Sequence, residues 1–175
     1  IAAAGAEVEE FDMDFRAMEP AFLTVLRSGL AARVGPLMDR KGDLLDDTLR
    51  RRIDEGRALS AIELLDAAYA RTAFFRDLQD QLDRFDVIIS PVLTAPPLKI
   101  DIDTSGEIEL NGYTGTVRGA WYPFTFPLNL TGHPALSMPC GRDSHGLPVA
   151  LQLMTRWYQD RFLLRVGELV EQTIA

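Results

Sequence analysis

Apolar residues recur at helical spacing through the first half of the chain, and the second half changes to short apolar or alternating runs. Over residues 19–85 the pattern is helical, broken at Gly35-Pro36 and again at Lys41-Gly42. The segment opening at Ser60 carries the longest stripe. Ser60 and Glu63 have capping-box spacing, in which each side chain serves the other residue's backbone N–H. Ile62, Leu65, Tyr69, Thr72, Phe75, Leu78, Leu82 and Phe85 follow at steps of three and four, which predicts one helix burying a continuous apolar face.

Strand signals frame this helical region. Residues 6–12 (AEVEEFD) alternate apolar and acidic positions, as a half-exposed strand would. Asp86-Val87-Ile88-Ile89-Ser90 is a short β-branched run stopped by Pro91, the pattern of a strand buried on both faces and so expected to have parallel neighbours. Residues 95–119 mix Pro, Gly, Asp and Thr without period and read as a long loop. Two further strands are predicted at 135–139 and 149–154. The turn-rich residues 141–146 join them, which makes them antiparallel neighbours. A last helix opens at Asp160, an N-cap candidate, and carries Leu163, Val166 and Val170 on one side. The sum is an α/β fold: a mixed β-sheet flanked by helices.

At 175 residues the chain is long enough for one domain with a real core, burying roughly 70% of its unfolded surface if self-contained. No apolar run of about 18 residues is present, so a membrane-spanning helix is not expected. The net charge of −8 argues against a nucleic-acid partner, since phosphate binding needs clustered, unpaired cations. The one basic cluster, Arg50-Arg51-Arg52, is flanked by Asp46, Asp47, Asp54 and Glu55 and reads as a self-paired helix face. A single cysteine, Cys140, allows no intrachain disulfide and fits a cytoplasmic location. The chain opens Ile1-Ala2-Ala3-Ala4-Gly5, with no initiator Met, basic n-region or apolar h-region, so this start is not a signal peptide. It reads as the last turn of a helix stopped at Gly5, which leads to the expectation of further sequence upstream.

Candidate chemistry is sparse. His133 and His145 have no second ligand at metal spacing, so no metal is expected, and no phosphate-cradling glycine motif or other cofactor signature appears. A Ser-His-Asp triad lacks the Gly-x-Ser-x-Gly elbow that would position its nucleophile. Cys140, at a strand end, reads as a small buried thiol. Residues 121–132 (WYPFTFPLNLTG) differ in being dense in aromatics and prolines. They read either as a core-packing loop or as one rigid, apolar wall of a substrate pocket.

Four blocks, in order, then carry a resemblance. Phe85-Asp86-Val87-Ile88-Ile89-Ser90-Pro91 is followed by Pro127-Leu128-Asn129-Leu130-Thr131-Gly132-His133-Pro134-Ala135. Next come Ser137-Met138-Pro139-Cys140-Gly141 and Gly146-Leu147-Pro148-Val149-Ala150-Leu151-Gln152-Leu153. Together they resemble the C-terminal portion of amidase-signature enzymes, most strongly over residues 59–175, with residues 1–175 read as a single partial domain of that α/β/α fold. The resemblance implies carboxamide hydrolysis through an acyl-enzyme on a serine, activated by a second serine in a cis peptide and by a lysine. Those groups belong to a Gly/Ser-rich signature in the family's N-terminal half. This chain has no such stretch: its serines are isolated and its two lysines, Lys41 and Lys99, lie in no matching motif. No catalytic residue is carried over, and the chain alone is expected to be inactive.

The resemblance does place pocket residues. Arg71 corresponds to an arginine that helps hold the substrate carboxylate in the family's tRNA-dependent amidotransferases, although a salt bridge to a neighbouring acid serves equally. Tyr122 stands where those amidotransferases have an aspartate for the amino group of glutamine. With Trp121 beside it, this points to a less polar, aromatic amide. Thr94 lies past the end of the 86–90 strand, where α/β sheets present ligands. The expected partners are a small-molecule amide and either the missing N-terminal half of the fold or a second copy, because an uncovered sheet edge invites association and poor solubility. A non-catalytic binding or assembly module with the same fold is the alternative.

Overall fold

The computed structural model describes residue 2 and residues 5–103 and 106–174. The chain condenses into two compact units, residues 17–75 and residues 1–16 with 76–175.

The smaller unit is helical. Helix α1 (Glu19–Arg33) is followed by α2 (Gly35–Lys41), a 3₁₀ turn (Gly42–Leu44), α3 (Asp47–Arg57) and the first half of α4 (Ala61–Arg84). The breaks fall at Gly35-Pro36 and Lys41-Gly42 as expected. The Asp46 carboxylate caps α3 by accepting from the Leu49 N–H at 3.0 Å. Gly56 sits where α3 crosses α1, so close that a Cβ there would overlap the Arg27 carbonyl oxygen. Beside it Arg27 pairs with Glu55 at 2.8 Å. The arginine triplet is self-paired: Arg50 meets Asp47, while Arg51 and Arg52 both meet Glu55, at 3.8–3.9 Å.

Helix α4 starts with the expected capping box. The Glu63 carboxylate accepts from the Ser60 N–H at 2.8 Å, and the Ser60 hydroxyl accepts from the Glu63 N–H at 3.2 Å. The bond from the Ser60 backbone, aided by its hydroxyl, lowers the Glu63 pKa. The expected continuous stripe is corrected. The buried positions of α4 are Ala67, Phe74, Leu78 and Leu82, whereas Ile62 is 71% exposed and Tyr69 69% exposed. The steps from Ile62 to Phe85 are mostly three residues, so they wind about 220° around a helix of 3.6 residues per turn. Their first half therefore emerges on the side opposite Leu78 and Leu82.

In the larger unit, β1 (Ile88–Pro91), β4 (Ala135–Arg142) and β5 (Pro148–Met154) form a sheet in the order β1-β5-β4. Both pairings are antiparallel. The parallel neighbours expected for the 86–90 run do not occur among the described residues, and that strand is not buried on both faces: Ile88 points inward and Ile89 is exposed. Helix α7 (Asp160–Ile174) covers one face, with Leu163 and Val170 packed on Met138 and Leu153.

The expected loop at 95–119 is also corrected. It contains an antiparallel hairpin, β2 (Glu107–Leu110) and β3 (Tyr113–Thr116), followed by α5 (Val117–Trp121). Its two-residue turn is Asn111-Gly112, with φ of 51° and 77°, the left-handed pair that a type I′ turn requires. Helix α6 (Phe126–Thr131) ends at Gly132, whose φ of 72° lets its N–H close on the Leu128 carbonyl at 2.7 Å.

Residues 6–12 form no strand. They have no regular secondary structure and are largely exposed, with Phe11 stacked on Phe85 at 5.5 Å. Among the described residues no strand pairs with them, so the alternation joins no ladder. The helix end expected before Gly5 falls on residues 1, 3 and 4, outside the described residues.

Candidate active site

Three of the four expected site residues come together in the larger unit. Strand β1 ends at Pro91, and the chain then runs as a strap through Thr94 to Pro97. The Thr94 N–H donates to the Trp121 carbonyl at 2.9 Å, and its hydroxyl contacts the Ala120 and Trp121 carbonyls. The indole N–H of Trp121 returns a bond to the Ala95 carbonyl at 3.1 Å. Trp121 and Tyr122 meet edge to face at 6.1 Å, and the Arg118 guanidinium lies 5.6 Å from the Tyr122 ring centre. Thr94 is thus a clamp on the aromatic segment, with its hydroxyl hydrogen committed to backbone. Arg71 lies on α4 in the other unit and is exposed.

Part of the 121–132 segment packs into the core. Pro123, Phe126, Pro127 and Leu128 are buried and serve the core, while Trp121 and Tyr122 are half-buried. The Thr125 hydroxyl closes the turn between them by donating to the Tyr122 carbonyl at 3.1 Å.

Beside the strap lies an apolar cleft of about 360 Å³, lined by Val92, Thr94, Pro96, Cys140, Pro148 and Leu151 among others. Cys140 is exposed, which overturns the expected buried thiol. Two-residue alternation from buried Met138 would have placed it inside. The register of β4 against β5 shifts between Pro139 and Gly141, and β4 is exposed at every residue from Pro139 to Arg142, so the alternation has no buried face to act on there.

Two contributors escaped the sequence reading. Asn111, at the hairpin tip, donates its side-chain amide to the Thr94 carbonyl; the Asn-Gly dipeptide was the signal for it. Gln152, on central strand β5, donates to the Phe124 carbonyl at 2.9 Å and to the Ser90 hydroxyl at 3.3 Å. A lone amide in an otherwise apolar run was the available sign.

His133 is buried against Gln79, 3.3 Å from its amide oxygen, and burial lowers its pKa, so the ring is neutral near pH 7. His145 is an exposed turn residue. Among the described residues no three His, Cys, Asp or Glu side chains are grouped to hold a metal ion, and no helix is long and apolar enough to cross a membrane.

Comparison with known proteins places this arrangement. Residues 4–164 match the family model described as Amidase. The chain is 34% identical, over 129 residues, to a glutamyl-tRNA(Gln) amidotransferase subunit from Geobacillus stearothermophilus, covering 71% of this chain and 25% of that protein. A solved amidase superposes with a TM-score of 0.88 at 24% identity, over 99% of this chain and 39% of the other. A bacterial aryl acylamidase of the amidase-signature family superposes with a TM-score of 0.75 at 22% identity, over 93% and 37%. The chain spans about a quarter of the length of the curated relatives it matches. With its motif order, its sheet and helices and the family model in agreement over most of its length, the chain belongs to the Amidase family.

Proposed function

We propose that this chain forms the sheet and substrate-pocket wall of a carboxamide hydrolase whose nucleophile lies outside these residues. In the complete enzyme a serine oxygen, deprotonated through a second serine and a neutral lysine, attacks the amide carbon. The C–N bond breaks, ammonia or an amine leaves carrying the transferred proton, and water then hydrolyses the acyl-serine to the carboxylic acid. The observation that supports this role is the apolar cleft along the strap, whose Thr94 and Ala95 are hydrogen-bonded to Trp121, in a chain of this family. Pocket walls of this kind, apolar with a few fixed polar groups, bind small molecules by shape.

Tyr122 favours hydrolysis of an apolar or aromatic amide over amide transfer from glutamine. A phenol ring offers no fixed negative charge for an ammonium group, and Arg118 beside it adds positive charge. Arg71, exposed on α4, remains available to hold a carboxylate or to pair with an acid. The chain's partners are then its small amide substrate and the rest of the same fold, or a second copy. Strand β1 supports this, since its only strand neighbour among the described residues is β5.

The test is ammonia release from benzamide, propionamide and glutamine by the 175-residue chain and by the complete protein that contains it. The chain alone is expected to release none, and the complete protein to favour benzamide. Turnover by the isolated chain, or a preference for glutamine, refutes the reading. A complete protein inert on all three amides would refute this reading too and favour the alternative, a binding or assembly module.

A further inference from the structure

We propose that Gln152 is a positioning residue for the pocket wall, holding residues 121–124 against the sheet through its side-chain amide. This rests on reading Trp121 and Tyr122 as that wall.

Gln152 is 5% exposed, in a strand whose next two residues, Leu153 and Met154, are fully buried. Burying a primary amide there is unfavourable unless its hydrogens are bonded, and Leu or Met would suit the same space without that cost. Both amide hydrogens have acceptors. One reaches the Phe124 carbonyl at 2.9 Å, the other the hydroxyl of Ser90, the cross-strand neighbour of Gln152 on β1. The aromatic segment is therefore clamped at two ends. Thr94 holds Ala120 and Trp121 to the strap, and Gln152 holds Phe124 to the central strand. Tyr122 lies between the clamps, its carbonyl already taken by Thr125. Loss of the Gln152 donor releases one end of the wall and leaves the other fixed. Because no reacting group sits on this segment, the effect falls on substrate binding and not on the chemical step.

The experiment uses the complete protein with benzamide. Gln152→Met keeps the side-chain length and removes both donors. It is expected to raise KM on the order of three- to tenfold, with kcat within about twofold of wild type. Gln152→Glu adds a signature. A buried carboxylic acid, once protonated, carries one O–H that can donate to the Phe124 carbonyl, whereas the carboxylate cannot. Its KM is therefore expected to approach wild type at acid pH and to climb as pH rises, a dependence absent from wild type. This arm also stands if Gln152→Met does not fold. Trp121→Ala is measured in parallel. An unchanged KM in the Gln152 variants, with only a lower Tm, overturns the proposal, and Trp121→Ala then shows whether the wall reading survives. A raised KM in Gln152→Met beside an unchanged KM in Trp121→Ala overturns it too, because the effect would not pass through the wall.

Discussion

Gly56 offers a sharp test of how the helical unit is built. A methyl group at this position would overlap the Arg27 carbonyl oxygen and would stand 2.6 Å from the Arg27 carbonyl carbon and 2.9 Å from the Ala31 Cβ. The two Arg27 atoms are backbone atoms of α1, which cannot swing aside as a long side chain can. Relief requires α1 and α3 to move apart, loosening Ile53, which is fully buried in α3, and the Arg27–Glu55 pair. Overpacking of this kind costs about 3 kcal/mol at the upper end of its usual range. Alanine's better helix propensity returns about 1 kcal/mol. The net loss for Gly56→Ala is then about 2 kcal/mol, a fall in Tm of roughly 4–8 °C for a domain of this size. Gly29 supplies the control. It lies in α1, and a Cβ there would meet nothing within 4 Å, so Gly29→Ala receives the propensity gain alone and should raise Tm. The assay is thermal and urea unfolding followed by far-ultraviolet circular dichroism. If both substitutions shift stability in the same direction, the helix crossing is not as close as described and the reasoning fails.

Three other perturbations probe the larger unit. Burial lowers the His133 pKa, so on acidification the unfolded chain takes up its proton first; stability is full above about pH 6.5 and declines below it, by at most about 1.4 kcal/mol per pH unit. His133→Asn should remove that decline between about pH 6.5 and 5.5, and a urea midpoint in wild type that stays level over this window would contradict it. Gly112→Val forces a β-branched residue to φ 77° at the hairpin turn and should cost about 1–2 kcal/mol, read as faster proteolysis within residues 107–116; unchanged cleavage would speak against the turn. Cys140 should react with a disulfide reagent in native buffer at one thiol per chain, and an amide bound in the cleft should slow that reaction. A thiol that reacts only after denaturation would place Cys140 inside.

The sequence by itself determined whatever depends on neighbouring residues. Gly35-Pro36 ends one helix and starts the next because of backbone restrictions carried by those residues alone. Ser60 and Glu63 find each other because they are one helical turn apart. The β4–β5 hairpin follows from its turn residues, and the four motif blocks were enough to identify the family before any coordinates. The Asn111-Gly112 hairpin was legible in the same local way, although the surrounding Pro and Gly residues masked it as loop.

Tertiary structure alone decided which apolar surfaces are covered and which polar groups meet. Helix α4 carries apolar residues on opposite sides along its length, and periodicity cannot say whether Ala67 or Leu65 faces the interior. The end of β4 runs past the core, so Cys140 is exposed whatever its place in the alternation. The clamps on the aromatic segment join residues far apart in the chain, Thr94 to Trp121 and Gln152 to Phe124. Such bonds exist only once the sheet has brought its strands together, because a hydrogen bond acts over about 3 Å and leaves no periodic trace in the sequence.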